Sequence, residues 1–98
     1  MLELDKVECE QFAACVNQDF EIVFSDGTLT VKLSEARSLG KRPESIREPF
    51  ALTFFCPRPL RLPQGTYRMR NAHLGEMEIF LVQISADQTS STFEAVFN

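Results

Sequence analysis

Tryptophan is absent from this 98-residue chain, histidine and tyrosine each occur once, cysteine three times, and glycine only four times. Each scarcity excludes something. Glycine this sparse leaves no glycine-rich phosphate loop, and the chain holds no nucleophile elbow and no paired-histidine zinc helix. Cys9 and Cys15 do not stand at a usual zinc spacing, and His73 alone could complete a ligand set, so no metal is expected, nor any other cofactor. An odd cysteine count, with Met1 leading straight into the mixed charge of "MLELDKVECEQF", argues against a disulfide framework and a secretory leader. No apolar run approaches the about 20 residues that a bilayer requires. The expectation is a soluble, cytoplasmic protein that neither spans nor binds a membrane.

Nine phenylalanines supply the heavy packing material. The length suits one domain, residues 1–98, with one core. Net charge is −4, which repels nucleic acid as a whole, but the charge is unevenly placed. Before Asp26, acids at Glu3, Asp5, Glu8, Glu10, Asp19 and Glu21 face only Lys6, whereas Arg58, Arg61, Arg68 and Arg70 follow one another with no acid between them. Those arginines are the candidate surface for an acidic protein partner. They come without any nucleic-acid motif, so nucleic acid is not expected.

Alternation dominates the chain. "DFEIVFSDGTLTVKL" reads as a hairpin turning at Asp26-Gly27, with Phe20, Ile22 and Phe24 opposite Leu33, Val31 and Leu29, and Glu21 opposite Lys32. Upstream, Leu4, Val7, Phe12 and Cys15 form an imperfect helical stripe, for which Asp5 is a possible cap. "SEARSLGKRPESIREP", Ser34 to Pro49, is too broken by Gly40 and its prolines for a strand or a long helix and reads as a connector, mobile or binding, with Ser34 capping a single turn. "FALTFFC" is a strand, apolar on both faces at its far end, and Pro57, Pro59 and Pro63 stop it and make the following stretch an extended link.

The stretch "GTYRMRNAHLGEMEIFLVQIS" is a second hairpin. A three-residue loop, either Ala72 to Leu74 or His73 to Gly75, puts Tyr67, Met69, Met77, Ile79 and Leu81 on one face and Arg68, Arg70, Glu76 and Glu78 on the other. The charges then read as a cross-strand ladder, and His73 falls at an exposed tip with neither pocket nor orienting partner. Ile79 to Val82 is apolar throughout and is expected to be buried on both faces. "TFEAVFN" is a last core strand whose removal should abolish folding. About six antiparallel strands in hairpins, with one short N-terminal helix, make a mainly β domain, either a small barrel or a two-layer sandwich.

The runs "DFEIVF", "REPFALTFF", "LPQGTYRMRNAHLGEMEIFLVQIS" and "FEAVFN" resemble the small bacterial domain of unknown function numbered six-nine-one-six. Pro49-Phe50, Gln64 to Tyr67, Leu74-Gly75, Phe80 and Glu94 to Asn98 carry the likeness most specifically, and it covers most of the chain. One departure stands out, since Gln83-Ile84 occupies a place where the family usually has proline. The resemblance implies a bacterial origin, a small β domain and no catalytic residues to carry over. It also implies encoding near phage-tail-collar-like proteins, hence an accessory role in a tail-like or surface assembly.

Three functional readings follow. The first is a non-enzymatic interaction domain that uses a sheet edge or the arginine surface, and self-association through such an edge is compatible with it. The second is a small-ligand carrier whose phenylalanines line a cavity. The third, an enzyme using Cys56 or His73, has the least behind it.

Overall fold

In the computed structural model, which describes residues 1–40, 43 and 47–98, strands follow one short helix in the order α1 (Cys9–Ala13), β1 (Asp19–Phe24), β2 (Gly27–Ser38), β3 (Phe50–Cys56), β4 (Gly65–Asn71), β5 (Gly75–Ala86) and β6 (Ser91–Phe97). The six antiparallel strands form a closed barrel in the order β1-β2-β3-β6-β5-β4, which decides between barrel and sandwich. Closure is made by β1 on β4, through Glu21 opposite Arg70, Ile22 opposite Met69 and Val23 opposite Arg68. Among the described residues no helix is long and apolar enough to cross a membrane.

Alternation sorts the side chains as expected. Phe20, Ile22, Leu29, Val31, Leu33, Met69, Met77, Ile79, Leu81, Phe93 and Ala95 all point inward and are buried. The first hairpin nevertheless turns one residue earlier than Asp26-Gly27 predicts, which shifts the register by two: Phe24 pairs with Gly27, and Ser25-Asp26 form the turn. A primed turn at Asp26-Gly27 needs positive φ at both central residues. Asn17 is the only non-glycine residue with positive φ among those described, so Asp26 is not in that conformation. Gly27, at φ 155°, instead opens β2. The slip leaves the faces intact but changes partners, so that Lys32 lies opposite Asp19 rather than Glu21.

Residues 34–38, expected in the connector, continue β2, and Ser34 caps no turn. A bulge between Leu33 and Glu35 resets the register, after which Glu35 to Ser38 pair with Thr53 back to Phe50. The Ser34 hydroxyl donates to the Thr53 carbonyl at 3.0 Å. Only 39–49 links β2 to β3, and Lys41, Arg42, Glu44, Ser45 and Ile46 within it lie outside the described residues, as does the question of a binding loop there.

The phenylalanines pack chiefly on one another. Phe50 and Phe97 stack at 4.7 Å with an 8° interplanar angle, Phe12 lies 6.0 Å and 5.8 Å from them, and Phe20 meets Phe54 edge-on at 5.2 Å. Each such ring, fully buried, contributes roughly 1.5–3 kcal/mol relative to exposure. Two aromatic residues break the expectation: Phe80 is 53% exposed and Phe55 38% exposed, because no second layer among the described residues covers the outer wall of the barrel there.

Both barrel ends are plugged. At one end α1 inserts Phe12, with Cys15 just beyond it, both at 0% exposure. The helix is a single turn, and its cap is Glu8 rather than Asp5: the Glu8 N–H donates to Gln11 Oε1 at 2.9 Å. Asn17, in the left-handed region that asparagine tolerates, then lets its N–H reach the Leu33 carbonyl at 2.7 Å and sends the chain into β1. At the other end the proline-rich link turns Leu60 and Leu62 against the core.

Candidate partner-binding surface

The link between β3 and β4 is positioned by two side chains from β5 and β6. Gln83 Nε2 donates to the Leu60 carbonyl at 2.8 Å, while its Oε1 accepts from the Leu62 N–H at 2.9 Å. Ser91, fully buried, accepts from the Leu60 N–H at 3.0 Å and directs its hydroxyl at the carbonyls of Arg58 and Leu60. Gln83 is therefore structural, because its amide satisfies a prolyl link that cannot form a ladder of its own. With Leu60 and Leu62 held inward, the neighbouring Arg58, Pro59 and Arg61 are exposed.

The four arginines fall into two groups. Arg68 and Arg70 stand on the outer face of β4, and both have carboxylates to hand. Arg70 Nε donates to Glu21 Oε1 at 2.7 Å, across the β1–β4 closure, and Arg68 Nη2 lies 4.0 Å from Glu76 Oε1. Glu21 is the first cause of an Arg70 guanidinium held above its usual range, with Glu76 adding to it. The expected ladder within one hairpin is thus partly redirected, since Arg70 reaches β1 through a pairing that no local pattern announces. Arg58 and Arg61, by contrast, have no carboxylate within 4.0 Å among the described residues.

Arg58 borders an open groove of about 570 Å³ on the outer wall, along with Pro57, Phe55, Lys32, Thr30 and Asp19. Phe55 lies directly opposite Lys32 in the β2–β3 register. An exposed aromatic face is thereby flanked by an ammonium and a guanidinium, with Asp19 as the one acid on the rim. Sequence reasoning missed Lys32, because it placed Glu21 opposite, and missed Phe55, because it took both faces of β3 to be covered. Arg61 faces the other side of the link, toward Ile84 and Ser85. A second groove, about 470 Å³, is bordered by Glu21, Glu76, Asp19 and Arg70 and is acidic.

His73 is exposed in the Ala72–Leu74 loop, which follows the first of the two predicted alternatives, with Gly75 just after it at φ 85°. The tip is organised by Asn71, 6% exposed, whose Oδ1 accepts from the N–H groups of His73 at 2.8 Å and Leu74 at 2.9 Å. Asn71 Nδ2 donates to the Asp19 carbonyl at 3.0 Å. Cys56 is fully buried in the core, and Cys15 is too, with its thiol pushed up by that burial. Among the described residues no three histidine, cysteine or carboxylate side chains gather as a metal would require.

These features define a small closed antiparallel β barrel with its polar detail on the outer wall and a plug at each end. The chain belongs to the family described as Domain of unknown function (DUF6916), whose model matches residues 7–97. No curated protein and no solved structure matches it.

Proposed function

We propose that this barrel is a non-enzymatic binding module that holds an acidic segment of a partner protein along the groove between Lys32 and Arg58, with Phe55 as its apolar anchor. The observation that carries the reading is the exposure of Phe55 between two cations that form no ion pair among the described residues. An aromatic flanked by charges of one sign gives both an area term and a steering term, and aromatic residues and arginine are both enriched at protein interfaces. Arg61, on the far side of the same link, lies off the groove and adds only to the long-range attraction, while Arg68 and Arg70 take a lesser part because they already face Glu76 and Glu21. Three cysteines without a disulfide suit a cytoplasmic setting. The family resemblance makes an accessory role in a tail-like or surface assembly the context in which such a partner would be met.

The test is a capture experiment from the native host with the intact chain and with the Arg58→Glu, Arg61→Glu double variant. The reading expects an acidic protein to be retained by the first, lost with the second, and eluted by raising salt. Identical sets of captured proteins, insensitive to salt, would overturn it.

A further inference from the structure

The barrel is closed by strand order but not along its whole height. The β5–β6 ladder ends at Val82 opposite Glu94, although β5 continues back to Gly75 and β6 forward to Phe97. Below that point each strand keeps only its other neighbour, β4 for β5 and β3 for β6. A seam is left between them.

The chain's own N-terminal segment lies at the foot of this seam. The Leu2 N–H donates to the Glu76 carbonyl at 2.7 Å, and Leu2 and Leu4 pack against the core. The Arg47 guanidinium holds the same segment from the other side, donating to the carbonyls of Leu4 and Val7 and, at 3.2 Å, to that of Asn98 beyond β6. The Glu76 carbonyl thus points away from β4. In an antiparallel strand, N–H and C=O of one residue face the same neighbour and those two residues on face it too, so Glu78 and Phe80 also turn their backbone groups to the seam. Among the described residues, Leu2 to Glu76 is the one backbone bond between the segment and β5.

The outer lips of the seam are apolar and acidic. Phe80 and Val96, 53% and 52% exposed, stand on its two sides, and Glu76, Glu78 and Glu94 share the outer face with them. Arg68 reaches Glu76 at 4.0 Å, while Glu78 has no cation within that distance among the described residues. The resident segment suits the inside but not the outside: its leucines alternate with Glu3 and Asp5, and the Glu3 carboxylate is matched by Lys6 of the same segment at 3.4 Å.

We infer that the β5–β6 seam is a strand-acceptor site whose fitting occupant is an extended segment with apolar residues at alternate positions and lysine or arginine between them. Such a segment would present its apolar side to the core, pair its backbone with Glu78 and Phe80, and bring cations to the acidic lips. Met1 to Leu4 is the placeholder it displaces. This surface lies apart from the Lys32–Arg58 groove and stands or falls separately from it.

Amide hydrogen exchange on the labelled full chain, read by NMR, tests the site. In the free protein the Glu78 and Phe80 amides should exchange about 100-fold faster than those of Met77, Ile79 and Leu81, which face β4. A short synthetic peptide alternating leucine and lysine should slow them, its leucine–glutamate counterpart should do so about tenfold more weakly, and a peptide of the first composition with all leucines together should have no effect. A Leu2→Ser variant should bind the leucine–lysine peptide more tightly, about tenfold if the resident segment fills the seam nine-tenths of the time. Glu78 and Phe80 amides already as protected as their neighbours would overturn the inference. So would equal action of the alternating and blocked peptides, or an unchanged affinity in a folded Leu2→Ser protein.

Discussion

Replacing Arg47 by alanine removes a side chain that ties three separate pieces of chain together. Its guanidinium donates to the carbonyls of Leu4, Val7 and Asn98 and lies over the stacked rings of Phe50 and Phe97, 5.5 Å and 5.7 Å from their centroids. A hydrogen bond with a charged donor has a net value of about 1.5–3 kcal/mol, and less where water competes; Arg47 is half-buried, so about 1 kcal/mol for each of its carbonyl contacts is the fitting figure. The ring contact adds about 0.5–1 kcal/mol. The expected loss is therefore about 3.5–4 kcal/mol, a large part of the roughly 5–15 kcal/mol by which an ordinary domain is stable. Urea unfolding followed by circular dichroism would read it as a lower midpoint with an unchanged slope. Arg47→Lys should recover less than half, because an ammonium keeps the charge but not the planar fork. Arg37→Ala is the control: its only described ion pair, to Glu35 at 3.9 Å, is exposed and should be worth less than about 0.5 kcal/mol. An Arg47→Ala protein within about 0.5 kcal/mol of the parent would refute the reasoning.

Thiol labelling should find Cys9 first, since Cys15 and Cys56 are fully buried; burial first, and then the charges of Glu10 and Glu48, hold the Cys9 thiol above its usual range, so at neutral pH it should react more slowly than a free thiol in water. Rapid native labelling of Cys56 would contradict this. Asp87 Oδ1 accepts from the N–H groups of Thr89 and Ser90, both at 2.8 Å, and these bonds hold its carboxyl below the usual aspartate range. Because the folded value is the lower one, the stabilisation is complete above the unfolded value and is lost as pH falls through the folded one; Asp87→Asn should flatten that acid limb of the stability profile, and an unaltered limb would contradict the assignment. Deleting Phe93 to Asn98 takes away the strand that pairs with both β3 and β5, and the truncated chain should show no cooperative melting.

What was legible in the sequence was whatever depends on neighbours along the chain. Alternation in Phe20 to Leu33 and in Tyr67 to Leu81 fixes which side chains face inward, and parity survives a two-residue shift of the pairing, so the core was readable although the register of the first hairpin was not. What depends on closure was hidden. Nothing near Arg70 in the sequence announces Glu21, because the β1–β4 pairing joins distant segments. The strand over Glu35 to Ser38 was missed because, past the bulge, both its faces stay largely exposed and no apolar period marks it. Phe80 misled for the opposite reason: a continuous apolar run from Ile79 to Val82 implies two covered faces, yet the outer one is open. The candidate surface was half legible. Arg58 and Arg61 were named, but Lys32 and Phe55 join them only through the β2–β3 register and the end of β3.

The pairing of Arg70 with Glu21, and with it the division of the four arginines into two groups, follows from closure of β1 on β4. Ile22 and Met69 sit opposite each other at that junction, in a position where antiparallel strands bring Cα atoms to about 4.5 Å. A strong Hα–Hα nuclear Overhauser contact between these two residues is the predicted result. Its absence, with the β1–β2 and β4–β5 contacts still present, would leave an open sheet and contradict the account.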